Sequence, residues 1–479
     1  MIGALEFQAA TVADLTLIAP ELILTVTSLG LLLGARKIGY GSVATLATVL
    51  AAIAAVVTLG WILPRESESA FGGMLVLDGY ARFFKILILC ALIFVALVSK
   101  KSVQAIRAPL AEYNTLLLLA STGVMLAVSA QDLLSLYLGL ELLTLCSFVL
   151  VGIALEKPAS NEAAIKYFLL GSFASALMLF GISLVYGLTG TTDIREVAAT
   201  LSQGGVEQEP LAIAAVGLVV AGLAFKVAAV PFHAWAPDAY QGALTPVAAF
   251  LATASKAAGL AVMGRVFLVA FESQTEIVSA ILIALAASSI LVGSVFAATQ
   301  TNMKRLLAYS SIAHAGYALL GLVAGTEEGV SATMLYVFFY VFMTLGAFTV
   351  IIGLEKRGEE LDGYEGLAAQ RPVTAALMLL FLLSLTGIPP TAGFAAKFAV
   401  ILSILREGHV LLAVLAVICS VISAFVYLRI AVLMYMKEPS KSAPARIPFV
   451  LVAALALAAA ITLVGGIFPG EVAIWAVAP

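Results

Sequence analysis

The sequence predicts an all-α polytopic membrane protein of about fourteen transmembrane helices, and three observations predict it. Of its 479 residues, 62% are hydrophobic and only 11% are charged, against about 25% charged in an ordinary soluble domain. Mean hydropathy is +1.11. Apolar runs such as LLLLASTGVMLAVSA show none of the period-two alternation of a β-barrel strand. A water-soluble chain of this size could not hide so much apolar surface, and a disordered chain would not contain it. The net charge of -3 offers no basic field for nucleic acid. Cys90, Cys146 and Cys419 are scattered through apolar runs, with no disulfide framework and no metal or Fe–S ligand spacing.

A bilayer core about 30 Å thick needs about 20 apolar residues per helix. By that measure the spans fall near residues 15–34, 41–63, 82–99, 114–130, 132–154, 162–188, 211–236, 244–265, 276–298, 303–323, 331–354, 373–403, 408–436 and 447–468. The N-terminus lacks the basic leader of a cleavable signal, so the first span is expected to be retained. Lys and Arg set the orientation. With the N-terminus outside, fourteen basic residues lie at the inner side: Arg36, Lys37, Lys100, Lys101, Arg107, Lys157, Lys304, Arg305, Lys356, Arg357, Arg371, Lys437, Lys441 and Arg446. Five lie at the outer side: Arg65, Arg82, Lys85, Arg195 and Arg406. That bias places both termini outside and requires an even number of spans. The connecting loops leave no room for a soluble domain or a nucleotide-binding module.

Six basic residues fall within spans or near their ends: Lys166, Lys226, Lys256, Arg265, Lys397 and Arg429. Glu141 and His314 join them. Lys226, Lys256, Lys397 and Glu141 are near mid-span, where each charge costs about 2.5–3.5 kcal/mol to insert. One buried ion pair would explain two of them as helix glue. Three central lysines exceed one acid, so the remainder must be neutral, hydrated or functional.

Pro231 and Pro237 interrupt the helix just after Lys226, and Pro389, Pro390 and Gly393 precede Lys397. Proline removes a donor and frees a carbonyl about one turn earlier. In lipid such a carbonyl persists only where protein or water satisfies it. Each break therefore reads either as a packing kink or as the wall of a hydrated path. Spans 7 and 12 lie five spans apart, as two inverted five-helix repeats over spans 4–8 and 9–13 would place them. The implied division is 1–113 for helices 1–3, 114–265 for the first repeat, 266–436 for the second, and 437–479 for the last loop and helix 14.

His314 has Ser310 at i−4 and Tyr317 at i+3 on one helix face. An imidazole there is either a satisfied structural group or a proton relay. Glu162 and Lys166 form an i,i+4 pair, which reads as an interfacial salt bridge or as a site of proton uptake. His233, at the broken helix, reads equally as an uptake residue or a cap. Arg265 and Arg429 sit nearer span ends and read as snorkelling anchors.

Five segments carry a family resemblance: YLGLELLTLCSFVLVG, NEAAIKYFLLGSFASALMLFGISLVYGLTGTT, FKVAAVPFHAWAPDAYQGALTPVAAF, NMKRLLAYSSIAHAGYALLGL and RPVTAALMLLFLLSLTGIPPTAGFAAKF. Together they resemble the antiporter-like subunits of bacterial respiratory complex I, the proton-pumping NADH–quinone oxidoreductase, and subunit N in particular. The resemblance runs from about residue 114 to 436, while spans 1–3 and 14 match mainly in topology. It implies one proton channel in the membrane arm of a translocase in the bacterial inner membrane. Glu141 would be the span-5 glutamate, Lys226 the span-7 lysine it modulates, Lys256 the central span-8 lysine and Lys397 the span-12 lysine of the outward half-channel. Lys166 matches a lysine that resembles subunit N more than its sister subunits. Partners would be the other membrane-arm subunits, lipid and protons. No cofactor is expected in this chain, FMN, Fe–S clusters and quinone belonging to other subunits.

On that resemblance a proton enters from the inside past Lys166 or His233 and loads Lys226. It then passes through Lys256, His314 and Lys397 to the outside. Ionised Glu141, expected roughly 8–10 Å from Lys226, would hold it charged with about 2 kcal/mol at an effective dielectric of about 20. The competing readings are a subunit of a multi-subunit Na+/H+ antiporter, a scaffold that only completes the membrane arm, and a hydrogenase- or ferredoxin-linked relative of complex I.

Overall fold

The computed structural model describes residues 10–38, 41–203, 209–271, 275–439 and 447–471. Lys441 and Arg446, two of the residues used to orient the chain, lie outside the described residues, as do 204–208 after span 6 and both ends of the chain. Thirteen helical segments among the described residues are long and apolar enough to cross a membrane. Spans 1 to 6 are Ala19–Ile38, Val43–Val57 with a π-helical extension Thr58–Ile62, Gly79–Ala105, Leu110–Ser129, Leu133–Val151 and Pro158–Thr189. Span 7 is divided into Glu209–Val227 and Trp235–Gly242. Span 8 runs from Thr245 to Ala270 with π-helical turns at Leu251–Ser255 and Val266–Ala270. Spans 9, 10 and 11 are Thr275–Ala297, Met303–Ala324 and Glu327–Leu354. Span 12 is divided into Pro372–Thr386 and Ala392–Arg406, each half too short to cross alone. Spans 13 and 14 are Val410–Met436 and Phe449–Ile467.

The span ends follow from local chemistry. Asp78, Asp132, Asn302 and Thr326 accept hydrogen bonds from the first-turn amides of spans 3, 5, 10 and 11, as side-chain oxygens at N-caps do. Pro158 opens span 6, and Gly190 closes it in the left-handed region at φ 74°. Two features were not expected. The first expected span starts too early, because a short helix Val12–Leu17 with a Thr11–Asp14 capping box precedes span 1. The loop between spans 2 and 3 folds into a small antiparallel hairpin, β1 (Glu68–Ala70) and β2 (Leu75–Leu77).

Close approach through small residues binds the helices, the usual device in lipid where apolar burial gives little preference. A Cβ on Gly123 of span 4 would lie 2.6 Å from the Gly139 carbonyl of span 5. One on Gly293 of span 9 would lie 2.4 Å from the Ala313 amide of span 10. Spans 8, 10 and 11 are almost wholly enclosed, while spans 1, 6, 13 and 14 turn most of their surface outward. The exposed faces carry residues such as Leu33, Phe173, Leu411 and Phe425, the apolar belt a bilayer requires. The enclosed spans carry Lys256 and His314.

Candidate functional site: a buried row of lysines

Lys226 ends the first half of span 7, and its Nζ lies 3.0 Å from Glu141 Oε1 on span 5. It also donates to Thr144 Oγ1, three residues along from Glu141. The separation of 8–10 Å expected between the two charges is therefore corrected to direct contact. The reason is that spans 5 and 7 both pack on span 6, which a linear reading of spans does not reveal. The break after Lys226 is closed by protein groups. Trp235 Nε1 donates to the Phe225 carbonyl at 2.9 Å, stacking on Tyr167 with ring centroids 4.4 Å apart. Ser289 of span 9 accepts from the Val230 amide at 2.9 Å, and Ser288 donates to the Val230 carbonyl at 3.2 Å.

Span 8 comes next. A Cβ on Gly259, one turn beyond Lys256, would sit 2.6 Å from Val227 Cγ1 and 3.4 Å from the Lys226 carbonyl carbon. The segments bearing the two lysines are thus in contact. Lys256 is buried, and its Nζ donates to the Ser311 carbonyl of span 10 at 2.6 Å. The π-helical turn Leu251–Ser255 immediately precedes it, a distortion that often marks functional positions.

Three residues past Ser311 is His314, within electrostatic range of both Lys256 and Lys397. Its Nδ1 lies 2.6 Å from the Tyr336 hydroxyl of span 11, and the Tyr340 ring is 5.2 Å away. Ser310 and Tyr317, expected on the same face, do not bond to the imidazole. Ser310 bonds to Tyr427 of span 13, and Tyr317 donates to the Ala416 carbonyl at 2.8 Å. The Tyr317 ring instead lies under Lys397, whose Nζ is 4.4 Å from its centroid.

Lys397 explains its own prolines. The chain turns at Gly387, with φ 88°, and span 12 restarts at Ala392. Lys397 reaches back across the break to the Thr386 carbonyl at 2.8 Å and to Ser420 Oγ at 3.2 Å. The carbonyl freed by the interruption is the lysine's acceptor. Lys256 and Lys397 face no carboxylate in an ion pair among the described residues, so the single acid Glu141 is already taken by Lys226.

The remaining sequence-stressed residues lie apart from this row. Lys166 is about half exposed and bridges Glu162 at 2.7 Å and Asp238 at 3.0 Å. Asp238 also binds Arg305 of span 10 at 2.6 Å. Its position in PFHAWAPDAY was the only signal in the sequence. His233 lies in the break of span 7, with its buried Nδ1 bonded to no group among the described residues. Arg429 caps span 9 through the Ala298 and Gln300 carbonyls at 2.9 and 2.7 Å. Arg265 does not snorkel: it is buried and forks onto Asp78 at 2.9 and 3.0 Å, beside the Tyr80 ring. Lys85, expected to serve orientation, is buried against Glu21 at 2.6 Å. Lys304 is likewise enclosed, 3.2 Å from Glu359. A long-range acidic partner is what turned each of these three inward, and no spacing in the sequence reveals such a partner.

Known proteins place this architecture among the antiporter-like membrane subunits. The family model described as NADH:quinone oxidoreductase/Mrp antiporter, TM, matches residues 130–423. The chain belongs to that family. It is 46% identical to the NADH-quinone oxidoreductase subunit N of Desulfovibrio desulfuricans, over 97% of this chain and 96% of the relative. It is 42% identical to subunit N of Rhodospirillum rubrum over 88% of both. Among solved structures, a chain of respiratory complex I from Thermus thermophilus is 34% identical with a TM-score of 0.81, covering 95% of this chain and 98% of that one. A chain of the Mrp complex from Dietzia, 21% identical with a TM-score of 0.84 over 96% of both, shares the fold.

Proposed function

We propose that this chain is a subunit N-type component of a proton-translocating NADH–quinone oxidoreductase, and that its buried row is the proton path. The observation that carries the reading is the uneven pairing of the enclosed lysines. Lys226 has a carboxylate, whereas Lys256 and Lys397 form no ion pair among the described residues and donate to carbonyl and hydroxyl oxygens. A protonated lysine left without an acid in a low-dielectric interior is costly, and a neutral one is not. Such groups are suited to gaining and losing a proton.

Glu141 is partly open on the outer face of span 5, beside Leu138 and Leu145. A charge on a neighbouring subunit could draw it from Lys226, which would then become a better proton donor. The proton would move to Lys256, past His314 and on to Lys397. Lys166 and His233 are the proposed uptake residues on the basic side. The five-helix units 114–265 and 266–436 would supply one half-channel each, and the last segment, 437–479, would close the bundle. The chain itself would carry out no redox step. FMN, Fe–S clusters and quinone would reside on other subunits of the complex, and the coupling energy would arrive through neighbouring membrane-arm subunits. Both termini would lie on the outer side of the bacterial inner membrane.

The test is the proton-to-electron stoichiometry of Glu141→Gln and Lys226→Ala complexes that insert at normal levels. Both should assemble and lose coupled turnover. Wild-type stoichiometry in either variant would exclude the relay and favour a scaffold.

A further inference from the structure

A cavity of about 590 Å³ opens at the ends of spans 3, 8, 11 and 14, on the side that the Lys/Arg bias assigns to the inside. It takes no part in the row of lysines. Its volume lies within the range of roughly 300–1,000 Å³ usual for small-ligand sites. Its floor is apolar, formed by Ile351, Ile352 and Leu451, all buried. Its rim is basic. Lys101, Lys157, Lys356 and Arg357 line it against two acids, Glu355 and Glu359.

Both acids are already engaged. Glu355 is bridged to Lys101, and Glu359 lies 3.2 Å from the enclosed Lys304. Arg357 is turned to the Gly363 carbonyl at 2.8 Å and to Gln370 at 3.0 Å. Lys157 and Lys356 form no ion pair among the described residues. Two cations therefore stand over an apolar floor, at the level where span ends meet headgroups. We propose that this cavity binds an anionic phospholipid of the inner leaflet. Lys157 and Lys356 take the phosphate, and the glycerol and upper acyl chain lie on Ile351, Ile352 and Leu451. Basic pockets between transmembrane helices recognise anionic headgroups in this way.

The test uses the intact complex, stripped of lipid in mild detergent and returned to phosphatidylcholine vesicles. These contain either a photoactivatable phosphatidylglycerol or a photoactivatable phosphatidylcholine, and labelled peptides are mapped by mass spectrometry. Phosphatidylglycerol should label residues 101–106, 351–357 and 448–451, and the neutral lipid should not. A Lys157→Gln/Lys356→Gln variant, assembled to the wild-type level, should lose labelling roughly tenfold or more. Excess inorganic phosphate should not compete. Equal labelling by the neutral lipid overturns the proposal, as does undiminished labelling of the variant. Competition by phosphate would mean a soluble anion site, and absence of label would mean that protein fills the cavity; either result also overturns it.

Discussion

A carboxylate and a carbonyl ask different things of a lysine. Glu141 lies 3.0 Å from Lys226 and accepts from its Nζ. The Ser311 and Thr386 carbonyls that receive Lys256 and Lys397 accept a hydrogen bond from either the ammonium or the amine. One lysine thus has a carboxylate partner, while the other two have acceptors that keep their geometry through a change of charge. Glu141→Gln should disturb only the first. It should leave a normal amount of assembled complex and a reduced proton yield per electron, read by pH-dye quenching in inverted vesicles. Lys256→Ala strands no acid, so it too should assemble while losing coupled turnover. At His314 the bond to Tyr336 engages Nδ1 and orients the ring. Removing the hydroxyl in Tyr336→Phe forfeits a bond worth about 0.5–1.5 kcal/mol. Coupled turnover should fall roughly two- to tenfold, with an altered pH profile. A fall with an unchanged profile would assign Tyr336 to packing alone.

At the scale of the helix, the two broken spans do different jobs. The span-7 break is stitched by Trp235 and by the serines of span 9, so it joins two groups of helices. The span-12 break hands its carbonyl to Lys397. Gly387 makes that possible: its φ is 88°, and a Cβ would stand 2.9 Å from Lys397 Cδ. Gly387→Ala should carry a backbone penalty of about 1–2 kcal/mol and push the amine off Thr386. It should reproduce the pumping loss of Lys397→Ala in an assembled complex, measured by the same quenching assay. Much of this was legible in the sequence, because proline and apolar run length act locally. The prolines beside Lys226 and Lys397 marked both breaks, and the surplus of lysines over acids marked the row. What was not legible depends on pairs far apart in the chain. The Lys397–Thr386 bond lies across a turn whose direction no periodicity gives. Asp238 meets Lys166 and Arg305 only after three spans have packed. The small hairpin before span 3 is too short to show an alternation.

For the molecule as a whole, the scarcity of charge makes each buried pair structurally expensive to break. The first three spans must be held to the core that carries Lys256, and a largely enclosed charged contact helps to do so across 187 residues. Arg265, near the end of span 8, forks onto Asp78, the cap of span 3, while Tyr80 donates to the Ala261 carbonyl at 2.8 Å. Burial pushes the Asp78 carboxyl up, but the Arg265 charge and its hydrogen bonds outweigh burial and hold it below the usual carboxylate range. A carboxyl lowered on folding stabilises above its unfolded value, near 3.9, and loses that contribution as pH falls through the folded value. Its contribution is therefore fully present near neutral pH and is lost only as pH falls through the lowered folded value. Arg265→Ala leaves the partly buried Asp78 without its partner, at a cost of about 1–3 kcal/mol. The expected result is a lower amount of subunit in the membrane, measured by immunoblot of purified membranes, with normal stoichiometry in whatever complex assembles. Arg265→Lys keeps the charge but not the fork, so it should restore part of that amount. Full abundance of Arg265→Ala, together with lost pumping, would move Arg265 from the frame of the molecule into its proton path.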